Sequence, residues 1–166
     1  VGYGSLYYLD KPNRSLIYRK KNNINLKLHF FEPSQKKSKS TLLLFHGGAW
    51  AFGSSYSLFK ICNDISSQGI TCISADYRIA LKHNSKVKDS MDDARAAYQW
   101  IISNAKELNV DPDNIFVGGG SSGGQLAASL AMIPDENNKT IEKIKGLVLL
   151  NPALNTSILD REIPDN

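Results

Sequence analysis

Near the start of the chain, apolar and polar residues alternate in two short stretches, Ser15-Leu16-Ile17-Tyr18 and Asn25-Leu26-Lys27-Leu28-His29-Phe30-Phe31, separated by the polar Lys20-Lys21-Asn22-Asn23. That pattern predicts a half-exposed antiparallel hairpin at one edge of a sheet. Beyond a polar loop at 33–40 the rhythm changes. Thr41-Leu42-Leu43-Leu44-Phe45, Thr71-Cys72-Ile73-Ser74-Ala75, Ile115-Phe116-Val117 and Gly146-Leu147-Val148-Leu149-Leu150 are short continuous apolar runs, as expected of strands buried on both faces. Between them, apolar residues recur at helical spacing. Residues 56–67 place Leu58, Ile61, Cys62 and Ile65 on one face, with Gly69 where a C-cap belongs. Residues 90–104 do the same with Met91, Ala94, Ala97, Tyr98 and Ile101, and Asp92 and Asp93 are expected in the first turn, where they favour the helix dipole. A third, small-residue helix is predicted over 124–132 (Leu126, Ala127, Leu130, Ala131). Asp111-Pro112-Asp113-Asn114 reads as a turn and 134–139 as a loop. Four apolar strands alternating with three helices behind an antiparallel hairpin predict an α/β fold: a mostly parallel sheet with helices on both faces.

Composition narrows this picture without redrawing it. With 166 residues, 42% hydrophobic and 22% charged, the chain suits a single domain over 1–166 and excludes disordered, collagen-like and disulfide-stapled classes. No apolar run approaches the ~20 residues of a transmembrane helix, and Val1-Gly2-Tyr3-Gly4 lacks the layout of a signal peptide. A soluble chain is expected, cytoplasmic ahead of secreted, although a start at Val rather than Met fits a processed product or a piece of a longer protein and leaves the compartment open. Cys62 and Cys72 lie in apolar surroundings without metal-site spacing and read as reduced core residues. The net charge of +4 comes from the first 40 residues, which hold nine Lys/Arg against two Asp/Glu. Those cations fall in turns rather than along a stripe, so nucleic-acid binding is not expected.

Two loops carry the chemistry. Gly118-Gly119-Gly120-Ser121-Ser122-Gly123-Gly124 lies between a buried strand and a small-residue helix, the setting in which G-x-S-x-G becomes a nucleophile elbow. Residues two before and two after the nucleophile must be small there, and Gly119 and Gly123 meet that demand around Ser121. Gly120 and Gly124 bracket Ser122 equally well. Ser121 is preferred because the residue after the nucleophile starts the helix and turns its N–H toward the substrate oxygen. The competing reading, a phosphate-binding glycine loop, lacks its Walker-type lysine. The second loop, His46-Gly47-Gly48-Ala49-Trp50, follows a predicted strand directly and offers N–H groups with little side-chain obstruction. Fixed donors at the oxygen of a tetrahedral intermediate are worth ~3 kcal/mol each. Gly48, Ala49 and Ser122 are the candidate N–H donors of such an oxyanion hole, with Gly47 permitting the tight turn. His46 reads as a brace for the loop rather than as the base, which comes last in chain order in this kind of fold. Trp50 and Phe52 either wall an acyl pocket or simply pack.

With both loops in place, the chain resembles the α/β-hydrolase superfamily, in particular its acetyl esterase/lipase-like branch related to hormone-sensitive lipase. The resemblance runs through Phe45-His46-Gly47-Gly48-Ala49-Trp50, Ser74-Ala75-Asp76-Tyr77-Arg78, Asp92-Asp93-Ala94-Arg95-Ala96-Ala97-Tyr98-Gln99-Trp100, Asp111-Pro112-Asp113-Asn114-Ile115, the elbow, and Leu149-Leu150-Asn151-Pro152. It spans about residues 40 to 155. The chain departs from the pattern at Ala49 (usually Gly), Gly120 (commonly Asp), Ser122 (commonly Ala) and Gln125 (commonly His or Asn). Asp76, Tyr77, Arg78 and Asp93 match as framework. His29 and His83 are placed at a polar-facing strand position and in a loop, outside the chemistry.

The resemblance implies a partial α/β-hydrolase fold and an acyl-enzyme mechanism in which Ser121 attacks a short-acyl or acetyl ester, an acetylated carbohydrate being one candidate substrate. That chemistry needs no metal or organic cofactor. The family order is Ser, then Asp or Glu, then His, yet no histidine follows position 121. Asp135, Asp160 and Asp165 come too early or in the wrong loop for the acid, so both partners are expected beyond Asn166, in a chain cut short at its C-terminal side. An inactive or binding protein of the same fold is the alternative reading, and a serine peptidase a third.

Overall fold

A computed structural model of the chain describes residues 10–21, 23–134, 141 and 143–155. Its centre is a six-stranded sheet in the order β1-β2-β4-β3-β5-β6, formed by β1 (Arg14–Lys21), β2 (Ile24–Phe31), β3 (Thr41–Phe45), β4 (Thr71–Ala75), β5 (Ile115–Gly120) and β6 (Ile144–Leu150). As the alternation predicts, β1 and β2 pair antiparallel, with β1 at the edge, and β2 pairs antiparallel with β4. The remaining ladders, β4 with β3, β3 with β5 and β5 with β6, are parallel.

The helices among the described residues are α1 (Phe59–Ser67), the single turn α2 (Ala80–His83), α3 (Val87–Ser103) and α4 (Ser122–Met132). Because successive strand residues face opposite sides, Leu43, Phe45, Ile73, Ala75, Ile115 and Val117 join the face covered by α3 and α4, where Ala97, Tyr98, Ile101, Leu126 and Leu130 meet them. Leu44 and Cys72 point the other way, against Phe59 and Cys62 of α1. Helices thus cover both faces. Cys62 and Cys72 are buried free thiols, and burial next to Cys62 raises the Cys72 thiol far out of its ionising range.

Several local expectations need correction. A 3-10 turn, Ser55–Leu58, precedes α1, so the buried helical face is Phe59, Cys62 and Ser66, and Ile61 is exposed. Helix α3 begins at Val87, three residues earlier than expected. The acid of its first turn is therefore Asp89, whose carboxylate accepts the Lys86 N–H at 2.9 Å, rather than Asp92 or Asp93. The elbow strand continues through Gly120 and α4 starts at once at Ser122. Strand β6 was expected to be buried, but Leu147, Val148 and Leu150 are 37%, 38% and 56% exposed. Its apolar sequence fits a central position, yet only β5 pairs with it among the described residues. The loop expected at 134–139 falls outside the described residues after Pro134, as do Asp135, Asp160 and Asp165. Gly69 (φ 92°) does follow α1 as a cap, its N–H donating to Ser66 O, and Asp111 closes its turn onto Asp113 and Asn114.

Candidate active site at the strand-to-helix elbow

Where β5 turns into α4, Ser121 holds φ 52° and ψ −120°, a conformation that belongs to glycine in tight turns and strains any residue with a Cβ. The strain exposes Ser121 at the head of the helix while Ser122 is fully buried. Both ends of the Ser121 peptide are held: its N–H donates to Leu150 O at 3.0 Å, and its carbonyl accepts from Gln125 N at 3.1 Å and Ala153 N at 3.0 Å. The segment that follows β6 therefore takes part in fixing the elbow, with Asn151 in the left-handed region at φ 45° to make the turn. Nothing local to the elbow sequence announces that support.

The glycine pair around Ser121 meets the steric demand read from sequence. A Cβ on Gly119 would come within 2.6 Å of the Gly123 carbonyl carbon, and one on Gly123 would collide with Phe45 O and stand 2.5 Å from His46 O. Gly124 is confined as well, by Pro152 at 2.8 Å. Gly120, by contrast, would meet only Leu150 O, at an ordinary 3.7 Å. A side chain fits there.

The His46 loop leaves β3 directly over this elbow. A Cβ on Gly47 would lie 3.1 Å from Gly120 O and 3.4 Å from the Ser121 Cβ, so Gly47 is small because it passes across the serine. The tight turn itself is made one residue later, a correction to the expectation for Gly47. Gly48 has φ 135°, with no room for a Cβ against the Phe52 carbonyl, and its own carbonyl accepts from Ala51 N and Phe52 N. Ala49 and Trp50 follow in the left-handed region, at φ 49° and 58°. Among the described residues no backbone acceptor is found for the N–H groups of Gly48, Ala49 and Ser122; Ser122 is buried, where backbone donors are ordinarily paired, whereas Gly48 is half-buried and Ala49 exposed.

His46 is buried, stacks on Tyr77 with ring centroids 4.3 Å apart, and places Nδ1 2.7 Å from Gly47 O. Burial pushes its imidazole below the ordinary value, against the pull of the Gly47 carbonyl and of Asp76. It braces the loop from behind, and Gly53 (φ 96°) is small because a Cβ there would stand 2.6 Å from Gly47 O and 2.8 Å from His46 Nδ1. Tyr77, its phenol pushed by burial up to about 12, donates to His46 O at 2.8 Å. Trp50 is buried and donates its indole N–H to Gln125 Oε1 at 3.2 Å, tying the loop to α4, whereas Phe52 is 59% exposed. The two aromatics thus part company: one packs, one faces solvent. Sequence reading missed the Trp50–Gln125 and Tyr77–His46 links because each joins segments far apart in the chain.

The framework residues cluster beneath. Asp93, with no exposure, accepts from Arg78 Nε at 2.7 Å, from Arg78 N at 3.0 Å and from Arg19 at 2.7 Å. Arg78 also reaches Asp89 at 2.9 Å. His83 sits at the end of α2 rather than in a loop, its Nδ1 accepting the Ile79 N–H at 3.0 Å. His29, expected to face solvent, is 4% exposed, because its ring inserts beside Tyr56 and Phe59. Among the described residues, no cluster of His, Cys, Asp or Glu is placed to hold a metal ion, and no helix is long and apolar enough to cross a membrane.

Comparison with known proteins agrees with this geometry. Residues 42–165 match the family model of the alpha/beta hydrolase fold. Arylacetamide deacetylase of Bos taurus is 30% identical over 138 residues, covering 80% of this chain and 34% of that protein. Probable carboxylesterase 5 of Arabidopsis thaliana is 29% identical over 159 residues, covering 87% and 49%. A thermophilic esterase of Thermogutta terrifontis, solved with propionate bound, superposes with a TM-score of 0.77 at 32% identity, covering 90% of this chain and 58% of that one; the same esterase has been solved phosphonylated by sarin. The chain thus spans between a third and somewhat over half of these relatives. From the paired loops, the sheet order and these similarities, the chain belongs to the α/β-hydrolase fold, within its hormone-sensitive lipase-like esterase family.

Proposed function

We propose that this chain supplies the nucleophile and the oxyanion hole of a serine carboxylic-ester hydrolase acting on short-acyl or acetyl esters. The observation that carries the reading is the conjunction at the elbow: an exposed, strained Ser121 with the unpaired N–H groups of Gly48, Ala49 and Ser122 on the two loops that meet there. Ser121 Oγ attacks the ester carbonyl. As the carbonyl oxygen gains charge, these donors stabilise it, each worth ~3 kcal/mol at the barrier. Collapse of the tetrahedral intermediate expels the alcohol and leaves an acyl-serine that water hydrolyses.

No histidine follows Ser121 within these 166 residues, so this reading requires an acid and a base supplied from outside them. His46 does not fill that role: its ring is buried against Tyr77 and engaged with Gly47. The propionate held by the Thermogutta terrifontis esterase supports short acyl chains. An acetylated carbohydrate is one substrate of this class.

The test is fluorophosphonate labelling of the polypeptide as its gene encodes it, with p-nitrophenyl acetate hydrolysis alongside. Labelling and hydrolysis lost in Ser121→Ala and kept in Ser122→Ala are expected. Labelling at this elbow that survives Ser121→Ala and vanishes in Ser122→Ala would overturn the assignment, and a coding sequence with no histidine downstream of Ser121 would remove the esterase reading.

A further inference from the structure

A second serine in this chain already has the partners that Ser121 lacks. Ser15 on β1 stands directly across from His29 on β2 in the antiparallel register, and its Oγ lies 2.8 Å from His29 Nδ1. On the other side of the ring, His29 Nε2 faces Asp76 Oδ1 at 3.4 Å. Asp76 in turn accepts from Ser55 Oγ at 2.5 Å and from Lys27 N at 3.1 Å. Burial alone would raise the Asp76 carboxyl, but the hydrogen bonds from His29 and Ser55 outweigh it and hold the group below the usual carboxylate range. An ionised carboxylate is acceptor only, so the ring nitrogen facing it carries the proton. That tautomer leaves Nδ1 as an acceptor, aimed at the Ser15 hydroxyl. The His29 ring is 4% exposed and set by Tyr56 and Phe59, with centroids at 5.8 and 5.1 Å. Ser15 itself is exposed.

Ser, His and Asp in this order are the parts by which a hydroxyl is made nucleophilic, with the two ring nitrogens exchanged relative to the usual arrangement. Ser15 and His29 open onto a groove of about 590 Å³ whose lining includes Phe59 and Tyr56, with Lys11, Lys27 and Lys60 around it. We propose that Ser15, His29 and Asp76 form a second nucleophilic site, at which Ser15 accepts an acyl or phosphonyl group from an activated donor. In the transfer, Ser15 Oγ bonds to the acyl carbon or to phosphorus. The bond to the leaving group, a phenoxide or a fluoride, breaks with its electron pair. The hydroxyl proton passes to His29 Nδ1, the imidazolium is stabilised by Asp76, and the proton then leaves to solvent. The inference covers a single transfer and is independent of the role of Ser121.

The experiment is fluorophosphonate labelling of Ser121→Ala, with the adduct located by peptide mass spectrometry. An adduct on Ser15 is expected, absent in Ser121→Ala/Ser15→Ala. A positioned base contributes at least ~100-fold to such a step, so His29→Gln should slow Ser15 labelling by about that factor, and Asp76→Asn should slow it through the lost tautomer control. Far-UV circular dichroism and urea unfolding identify which variants remain folded. Ser15→Thr, which keeps the hydroxyl, serves as a second variant and should retain labelling. No adduct on Ser15 in folded Ser121→Ala overturns the proposal. So does an adduct that forms equally fast in folded His29→Gln, because the hydroxyl would then react without the relay.

Discussion

Replacing Ser121 with glycine should stabilise the fold relative to replacing it with alanine, although both remove the hydroxyl. The φ of 52° and ψ of −120° at this position cost a residue with a Cβ ~1–3 kcal/mol, and alanine retains that cost. Glycine escapes it but loses ~0.5–1 kcal/mol more backbone entropy on folding. Mid-range values favour Ser121→Gly by ~1 kcal/mol, within a span of ~0–2.5 kcal/mol, which in a chain of this size corresponds to about 2–4 °C in Tm for each kcal/mol. Urea and thermal unfolding of the two variants, measured side by side, give this difference directly, and fluorophosphonate labelling of the elbow should be absent from both. Equal midpoints, or a lower one for glycine, would refute the claim that Ser121 is held in strain.

The glycines of the elbow should divide by the space around them: Gly123→Ala, which drives a Cβ into the Phe45 and His46 carbonyls, should cost at least ~1–3 kcal/mol, whereas Gly120→Ala should change the urea midpoint little. Equal losses at the two positions would contradict the packing described. Ser122 Oγ is buried without a hydrogen bond of good geometry, next to the Tyr77 phenol, so Ser122→Ala should be neutral or raise stability by up to ~1 kcal/mol, and a loss above that size in the same assay would show the hydroxyl to be satisfied. Burial lowers the folded-state affinity of His46 and of His83 for a proton. The unfolded chain therefore binds more protons, and the stabilisation from keeping the rings neutral is complete above about pH 6.5 and lost as pH falls below it. The urea midpoint should drop between pH 7.5 and pH 5.5, before the carboxylates titrate, and a flat profile across that interval would count against neutral, desolvated rings.

What could be read from sequence alone was whatever depends on neighbours along the chain. The alternation of β1 and β2 and the apolar runs of β3, β4 and β5 were legible because strand periodicity is a local property. So was the demand for glycine at 119 and 123, since a strand that reverses sharply into a helix brings its own flanks together. That no histidine follows Ser121 within these 166 residues was legible in the same way, from the order of residues. Tertiary structure decided what depends on distant segments. Sheet order left β6 with one neighbour among the described residues and its apolar residues exposed, though its sequence is that of a central strand. The helix start and the backbone strain separated Ser121 from Ser122, two serines equally bracketed by glycine in sequence. The turn geometry moved the obligate glycine of the His46 loop from Gly47 to Gly48. Cross-strand pairing turned His29 from a solvent-facing residue into a buried one between Ser15 and Asp76, a juxtaposition of three segments that no periodicity encodes because it exists only once the sheet has closed.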